Sequence, residues 1–167
     1  MANVIKEQKL IDNNKRALIK YVATLDTAAA NTLLVDPSQL RFALNTNGQI
    51  MSANANIKST YRTTIKRIFG TAKANAYMKL LWQGANTADI ITITTGNFDY
   101  DFQSMGDGAV ISNPDAASNG NILLTVVTPS SADALTLFID LRKDAGDYDS
   151  GQTADPIAFN KGRAAGF

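Results

Sequence analysis

The chain has 167 residues, 45% hydrophobic and 19% charged, a composition that favours one folded domain with a sizeable core over a disordered chain. Its 16 basic and 15 acidic residues give a formal net charge of +1, which supplies no overall attraction to nucleic acid. The absence of His and Cys excludes disulfides and removes the commonest general base, the commonest thiol nucleophile and the usual transition-metal ligands.

The N-terminus and the apolar runs indicate a protein of an aqueous compartment. The opening sequence Met-Ala-Asn-Val-Ile-Lys-Glu-Gln-Lys is too polar for the apolar core of a signal peptide. No apolar run approaches the roughly 20 residues that a membrane-spanning helix needs. We therefore expect no membrane partner. Because His and Cys are absent, we also expect no cofactor and no enzymatic activity.

The first third of the chain predicts an arm, a strand and a short helix. Residues 1–14 lack a clear period and are interpreted as an N-terminal arm or a short helix. Residues 16–25 alternate between apolar and polar side chains, as a half-buried strand does. A turn at 26–31 and a brief strand at 32–35 follow. Asp36 and Pro37 then form a helix-start signal, which predicts one short helix near 37–44.

The middle of the chain predicts three strands joined by short turns. Alternation predicts strands at 60–69 and 76–83, and β-branched residues predict another at 90–95. A turn is expected at Gly70–Lys73. Because links of about 5 residues are too short for a parallel crossover, consecutive strands are expected to be antiparallel neighbours.

The last third predicts a closing hairpin and a tail. A short extended segment at 97–102 leads into a polar loop. Residues 122–127 and 134–143 are expected to pair as a hairpin, and 145–167, which lack periodicity, are interpreted as an extended C-terminal tail. The fold expected is all-β: an antiparallel β-sandwich or jelly-roll-like domain over 15–144 with extended terminal arms. Seven residues are predicted to form its core: Ile65, Met78, Leu80, Trp82, Leu137, Ile139 and Leu141.

Two groups of carboxylates are candidate sites. Asp144, Asp147, Asp149 and Asp155 offer oxygen ligands for calcium, but they lack the spacing and terminal Glu of an EF-hand. A solvated acidic turn is the preferred interpretation, so no metal is predicted. Asp99 and Asp101 share one face of an extended segment, an arrangement that glycoside hydrolases use; loop capping explains it more simply.

Cations and aromatic side chains supply two further candidates. Lys58, Arg62, Lys66 and Arg67 form a local basic stretch, interpreted as a solvated strand face with an anion or partner contact as the alternative. The aromatic residues alternate within strands and are expected in the core, with a flat sugar-binding platform as the alternative; they are Tyr61, Phe69, Tyr77 and Trp82.

Six segments between about residues 15 and 143 carry a family resemblance: Lys15–Val22, Asn31–Asp36, Met78–Trp82, Gly96–Phe102, Gly120–Thr125 and Leu137–Lys143. Together they resemble small virion structural proteins of marine tailed bacteriophages, notably those that infect cyanobacteria. It implies a non-enzymatic virion protein, made in the host cytoplasm and assembled in many copies or as a homo-oligomer. A decoration or cement protein on the capsid exterior, contacting the major capsid protein or neighbouring virion proteins, is the expectation.

Three other functions stay open at this point. A neck or head–tail connector position and a tail position suit a chain of this size, and a carbohydrate-binding β-sandwich module is the non-viral alternative. If the protein docks through its terminal arms, the contacts are expected from their apolar residues, since a free arm gains nothing by exposing them. These partner-binding candidates are Val4, Ile5, Leu10, Ile11, Ile157, Phe159 and Phe167.

Overall fold

The computed structural model describes residues 3–50, 56–73, 77–105, 111–115, 118–127 and 133–149, and this part of the chain contains ten β-strands. They are β1 (Val4–Asp12), β2 (Arg16–Leu25), β3 (Ala29–Val35), β4 (Thr63–Lys73), β5 (Met78–Trp82), β6 (Ala88–Ile93), β7 (Gly96–Asp101), β8 (Ile111–Ser112), β9 (Ile122–Val126) and β10 (Asp133–Lys143). Two 3₁₀ turns cover Pro37–Gln39 and Phe102–Met105. The all-β prediction is confirmed.

The strands form two antiparallel sheets that share one hydrophobic core. The first, sheet A, has the order β1–β2–β10–β4–β7, and β8 also pairs with β4. The second, sheet B, has the order β3–β9–β5–β6. Apolar side chains from both sheets belong to a single buried cluster, as the predicted sandwich requires. All seven predicted core residues are buried: Ile65, Met78, Leu80, Trp82, Leu137, Ile139 and Leu141.

Strand β1 corrects the prediction of an arm or short helix at the N-terminus. It pairs with β2 from Val4↔Thr24 to Asp12↔Ala17, with one extra residue at Leu10. That β-bulge reverses which residues point inward, because an inserted residue shifts the period-2 alternation by one. Ile5 therefore faces the core before the bulge and Asp12 faces inward after it.

The predicted helix near 37–44 is only one 3₁₀ turn. Asp36 caps it as expected, since its carboxylate accepts a hydrogen bond from the Ser38 amide at 3.0 Å. The chain then leaves helical geometry, because Phe42 has a left-handed φ of 66°. Ala43 and Leu44 form isolated bridges with Tyr148 and Ile50, so extended pairing replaces the helix.

Strand β4 does not end in the turn predicted at Gly70; it continues through Lys73. A Cβ atom on Gly70 would overlap the carbonyl oxygen of Thr136 on β10, so glycine here permits close strand packing instead of a turn. A second β-bulge inserts Lys66 opposite β10. The predicted alternation is therefore correct up to Ile65 and inverted afterwards, and Ile68 is buried instead of Phe69.

The predicted closing hairpin is wrong, because its two strands belong to different sheets. Strand β9 lies in sheet B between β3 and β5, while β10 lies in sheet A between β2 and β4. The links from β4 to β5 and from β6 to β7 also change sheets. Only β5 and β6, among these short-linked pairs, are the antiparallel neighbours expected.

The first residues of the predicted C-terminal tail pack against the domain. Tyr148 is fully buried and its hydroxyl donates to the Pro37 carbonyl at 2.8 Å. The Asp149 amide donates to the Phe42 carbonyl at 2.8 Å. The remainder of the predicted tail, 150–167, lies outside the described residues, and so do its partner-binding candidates Ile157, Phe159 and Phe167.

Candidate functional site

The outer face of sheet A carries a stacked aromatic pair. Phe138 on β10 lies directly opposite Phe69 on β4, and the two ring centroids are 4.6 Å apart with planes 2° from parallel. Both side chains face away from the core because their strand neighbours Ile68, Leu137 and Ile139 are buried. Together with exposed apolar side chains, the pair forms a surface that we call the sheet A face: Val4, Val22, Phe69 and Phe138.

Cations flank this aromatic pair. The Lys20 ammonium lies 5.9 Å from the centroid of Phe138, and the Arg67 guanidinium lies 4.7 Å from that of Phe69. The ring faces are thus occupied by each other and by two cations, within the distance for cation–π attraction. A flat sugar platform needs free ring faces, so this pair does not provide one.

Arg67 is also held by Asp99 on β7. The guanidinium donates two hydrogen bonds to the carboxylate, at 2.8 and 2.6 Å. These bonds raise the pKa of Arg67 and lower that of Asp99. Asp99 is therefore part of an exposed ion pair, and Asp101 accepts a hydrogen bond from the Gln103 amide, as loop capping predicts. Each carboxylate therefore has a local structural partner.

A concave surface at one end of sheet A concentrates positive charge. We call it the cationic groove: a cavity of about 790 Å³ where the ends of β2, β4 and β10 meet. The register places Arg142 opposite both Arg16 and Thr64. Six cationic residues line the groove: Lys15, Arg16, Arg62, Lys66, Arg142 and Lys143.

Two of the six cations are neutralised by aspartates. Arg16 donates two hydrogen bonds of 2.8 Å to Asp140, which raise the pKa of the guanidinium. Lys143 has a fully buried side chain and donates to the Asp12 carboxylate at 2.5 Å. Burial lowers the pKa of Lys143, and the hydrogen bond to Asp12 opposes that change. These two pairs stabilise the floor of the groove.

Four cations of the groove have no such partner. The side chains of Lys15, Arg62, Lys66 and Arg142 form no hydrogen bond or ion pair with any residue in the described part of the chain. The basic stretch predicted from the sequence is thus split. Lys58 pairs with Asp147 at 3.1 Å and Arg67 pairs with Asp99, whereas Arg62 and Lys66 line the groove. Lys15, Arg16 and Arg142 were missed, because only the strand register brings them there.

A second, smaller cavity of about 360 Å³ adjoins the groove. The two share Arg62, Thr64 and Asp144 in their walls. Most residues that line the smaller cavity have polar side chains, among them Thr63, Ser112 and the carboxylates of Asp115 and Asp144. Thr63 is only 5% exposed, and its hydroxyl oxygen has no hydrogen-bond partner within the described residues.

Two of the candidate calcium ligands, Asp144 and Asp147, form structural contacts within the domain. Asp144 accepts from the Gly146 amide at 2.8 Å, and Asp147 binds Lys58 and the Arg62 amide. Among the residues that the structure describes, no three His, Cys, Asp or Glu side chains are grouped as metal ligands. Asp155 lies outside those residues.

The remaining candidates are distributed over the fold. Val4 and Leu10 on β1 are 52% and 44% exposed, whereas Ile5 packs against the core and Ile11 is half-buried. Of the aromatic residues, Tyr61 and Trp82 are buried as predicted, while Tyr77 is exposed.

Comparisons with protein-family models, with curated proteins and with solved structures found no match to the chain. No helix in the described ranges is long and apolar enough to cross a membrane.

Proposed function

We propose that the protein is a non-enzymatic structural component of a tailed-phage particle, present in many copies on the capsid exterior. The sequence resemblance gives the proposal its setting. The observation that carries it is the sheet A face, where the half-buried Phe69–Phe138 pair has the 44% exposed Val22 on the adjacent strand β2. Val4, 52% exposed, extends the apolar surface to the edge strand β1. Half-buried aromatic side chains next to Arg and exposed apolar residues are a composition that protein interfaces favour.

The edge of sheet A favours contact through the face over strand addition. Edge strand β1 carries the bulge at Leu10 and the charged residues Lys6, Glu7 and Lys9, features that prevent a further strand from pairing with it. A partner is therefore expected to cover the sheet A face, with Phe138 near the centre of the contact.

The test is the location of the protein on purified particles. Particles from the phage that encodes the chain should contain it in many copies by mass spectrometry, and cryo-electron microscopy should place it on the capsid lattice. Density at the neck or tail would replace the capsid position with the alternative one. Absence from purified particles would overturn the proposal altogether.

A pair of variants connects the location to the face. Added to particles that lack the protein, Phe138→Ala should bind at least about tenfold less than wild type, as a truncated aromatic in the centre of an interface does. Tyr77→Ala removes an aromatic side chain that is 42% exposed beside β5 in sheet B, and should bind normally. Equal binding by both variants would exclude the sheet A face as the contact.

A further inference from the structure

The cationic groove has features of a ligand site that the structural role does not require. We propose that it binds a compact oxyanion that carries two or more phosphate or sulfate groups. The proposal does not depend on where the protein is located in a particle, and the purified chain can test it.

The charge of the groove is the first argument. Its two ion pairs, Arg16–Asp140 and Lys143–Asp12, cancel. Four cations without partners among the described residues and the lining carboxylate of Asp144 then leave +4 − 1 = +3 in one cavity, against +1 for the entire chain. Cations brought together repel one another, and a multivalent anion removes that repulsion while forming charge-assisted hydrogen bonds.

The shape of the site is the second argument. A volume of about 790 Å³ lies within the usual range of small-ligand pockets, roughly 300–1,000 Å³. The adjoining cavity extends it with polar side chains, where the buried Thr63 hydroxyl lacks a partner among the described residues. An unsatisfied buried hydroxyl carries a desolvation cost that a hydrogen-bonding ligand would relieve. Groove and cavity together suit a ligand with an anionic part and a polar part.

The walls are held in place before any ligand arrives. The Arg62 amide donates to Asp147 at 2.9 Å, and the Asp144 amide donates to the Arg62 carbonyl at 3.1 Å. Arg16 is fixed by its two bonds to Asp140. The fixed backbone and the Arg16 side chain reduce part of the ordering cost of binding, while the side chains of the four cations without partners are ordered by the ligand, so moderate affinity is expected.

Charge outside the groove favours a compact anion over a nucleic acid. Nucleic-acid binders present an extended basic face that follows many phosphates. Here carboxylates bound the positive region. Asp140 and Asp99 form ion pairs with the neighbouring Arg16 and Arg67, and Asp101 on β7 lies opposite Arg67. A duplex crossing the sheet would meet these carboxylates.

The experiment is calorimetric titration of the full chain with inorganic tripolyphosphate, and separately with a sulfated disaccharide, at low and moderate salt. Wild type should bind at least one probe at one site, and saturation should raise the melting temperature by several degrees. Arg142→Gln and Arg62→Gln should each weaken binding about tenfold or more, since each removes a charge-assisted contact. Thr63→Val should keep or raise the melting temperature while weakening whichever probe reaches the second cavity.

Lys73→Gln is the matched control, because it removes an exposed cation at the opposite end of β4. It should bind like wild type. Equal weakening by Lys73→Gln would show general charge attraction and overturn the site. Failure of both probes to bind would overturn it as well. Tighter binding of duplex DNA that depends on Arg142 would replace the compact anion with a nucleic acid.

Discussion

Removing the carboxylate of Asp12 should lower the free energy of unfolding by about 3 kcal/mol. The carboxylate and the Lys143 ammonium join the ends of β1 and β10, and the two side chains are 6% and 0% exposed. Breaking a buried ion pair from one side costs about 3–5 kcal/mol, because the remaining charge loses its compensation. Lys143 also donates to the carbonyls of Asn13 and Arg41, both at 2.7 Å, so Asp12→Ala belongs at the lower end.

Urea unfolding at pH 7 of the two single variants and the double variant measures this interaction. Asp12→Ala/Lys143→Met should lose less stability than the sum of the single variants, since it buries no lone charge. Asp89→Ala is the matched control. The Asp89 side chain is 58% exposed, and the substitution breaks its ion pair with Lys79. Solvent screens an exposed pair of this kind, so the control should be close to wild type.

The stability contributed by Lys143 depends on pH. Burial lowers the pKa of Lys143, so between that pKa and the ordinary value of about 10.4 the unfolded chain binds more protons than the folded one. Stability from this group therefore rises with pH in that window. Without Asp12 the pKa falls further, and the loss caused by Asp12→Ala should shrink from pH 7 to pH 10. A loss below about 1 kcal/mol at pH 7, or one independent of pH, would refute the reasoning.

Three further predictions concern the core, alkaline pH and the groove. Leu137→Ala, at a fully buried position, should cost about 2–5 kcal/mol in urea unfolding, and unchanged stability would mean that this side chain does not fill the core. Burial raises the pKa of Tyr21 and Tyr148, so the stability that they contribute is lost as pH rises above about 10. Replacing either with Phe should reduce the slope of the free energy of unfolding against pH in this range by up to about 1.4 kcal/mol per pH unit. An unchanged slope would contradict this. Arg142→Thr removes one of the four groove cations that lack a partner in the described part of the chain, and should raise stability by about 0.2–1 kcal/mol at low salt, with less effect at high salt; a loss at low salt would contradict this.

Regular alternation explains which strands the sequence could predict. Strand β2 begins and ends at the predicted residues, Arg16 and Leu25, because its inner face is buried and its outer face is not. Strand β1 also has one face toward the core and one toward solvent, but it contains an extra residue at Leu10. The bulge places apolar side chains at neighbouring positions, which reads as an aperiodic arm although the backbone pairs along its length.

Gly70 and the short links explain two other errors. Glycine usually signals a turn, but at position 70 it allows β10 to approach β4, and this reason exists only after the strands are paired. A link of a few residues fits a hairpin and also fits a crossing between packed sheets. The sequence between β9 and β10 contains no residue that distinguishes the two, so the change of sheet could not be predicted.

The cationic groove could be predicted only in part: the basic stretch supplied Arg62 and Lys66, but strand register brings the other cations to them. Arg16 and Arg142 are far apart in sequence, yet they lie directly opposite each other, an arrangement that destabilises a sheet unless the charges are compensated. Asp140 compensates Arg16 through two hydrogen bonds, and Asp12 compensates the buried Lys143. The fold thus supplies a carboxylate to Arg16 and to Lys143 and, among the described residues, supplies none to Arg142, which lines the cavity. This selective neutralisation leaves the positive charge on which the proposed anion site depends.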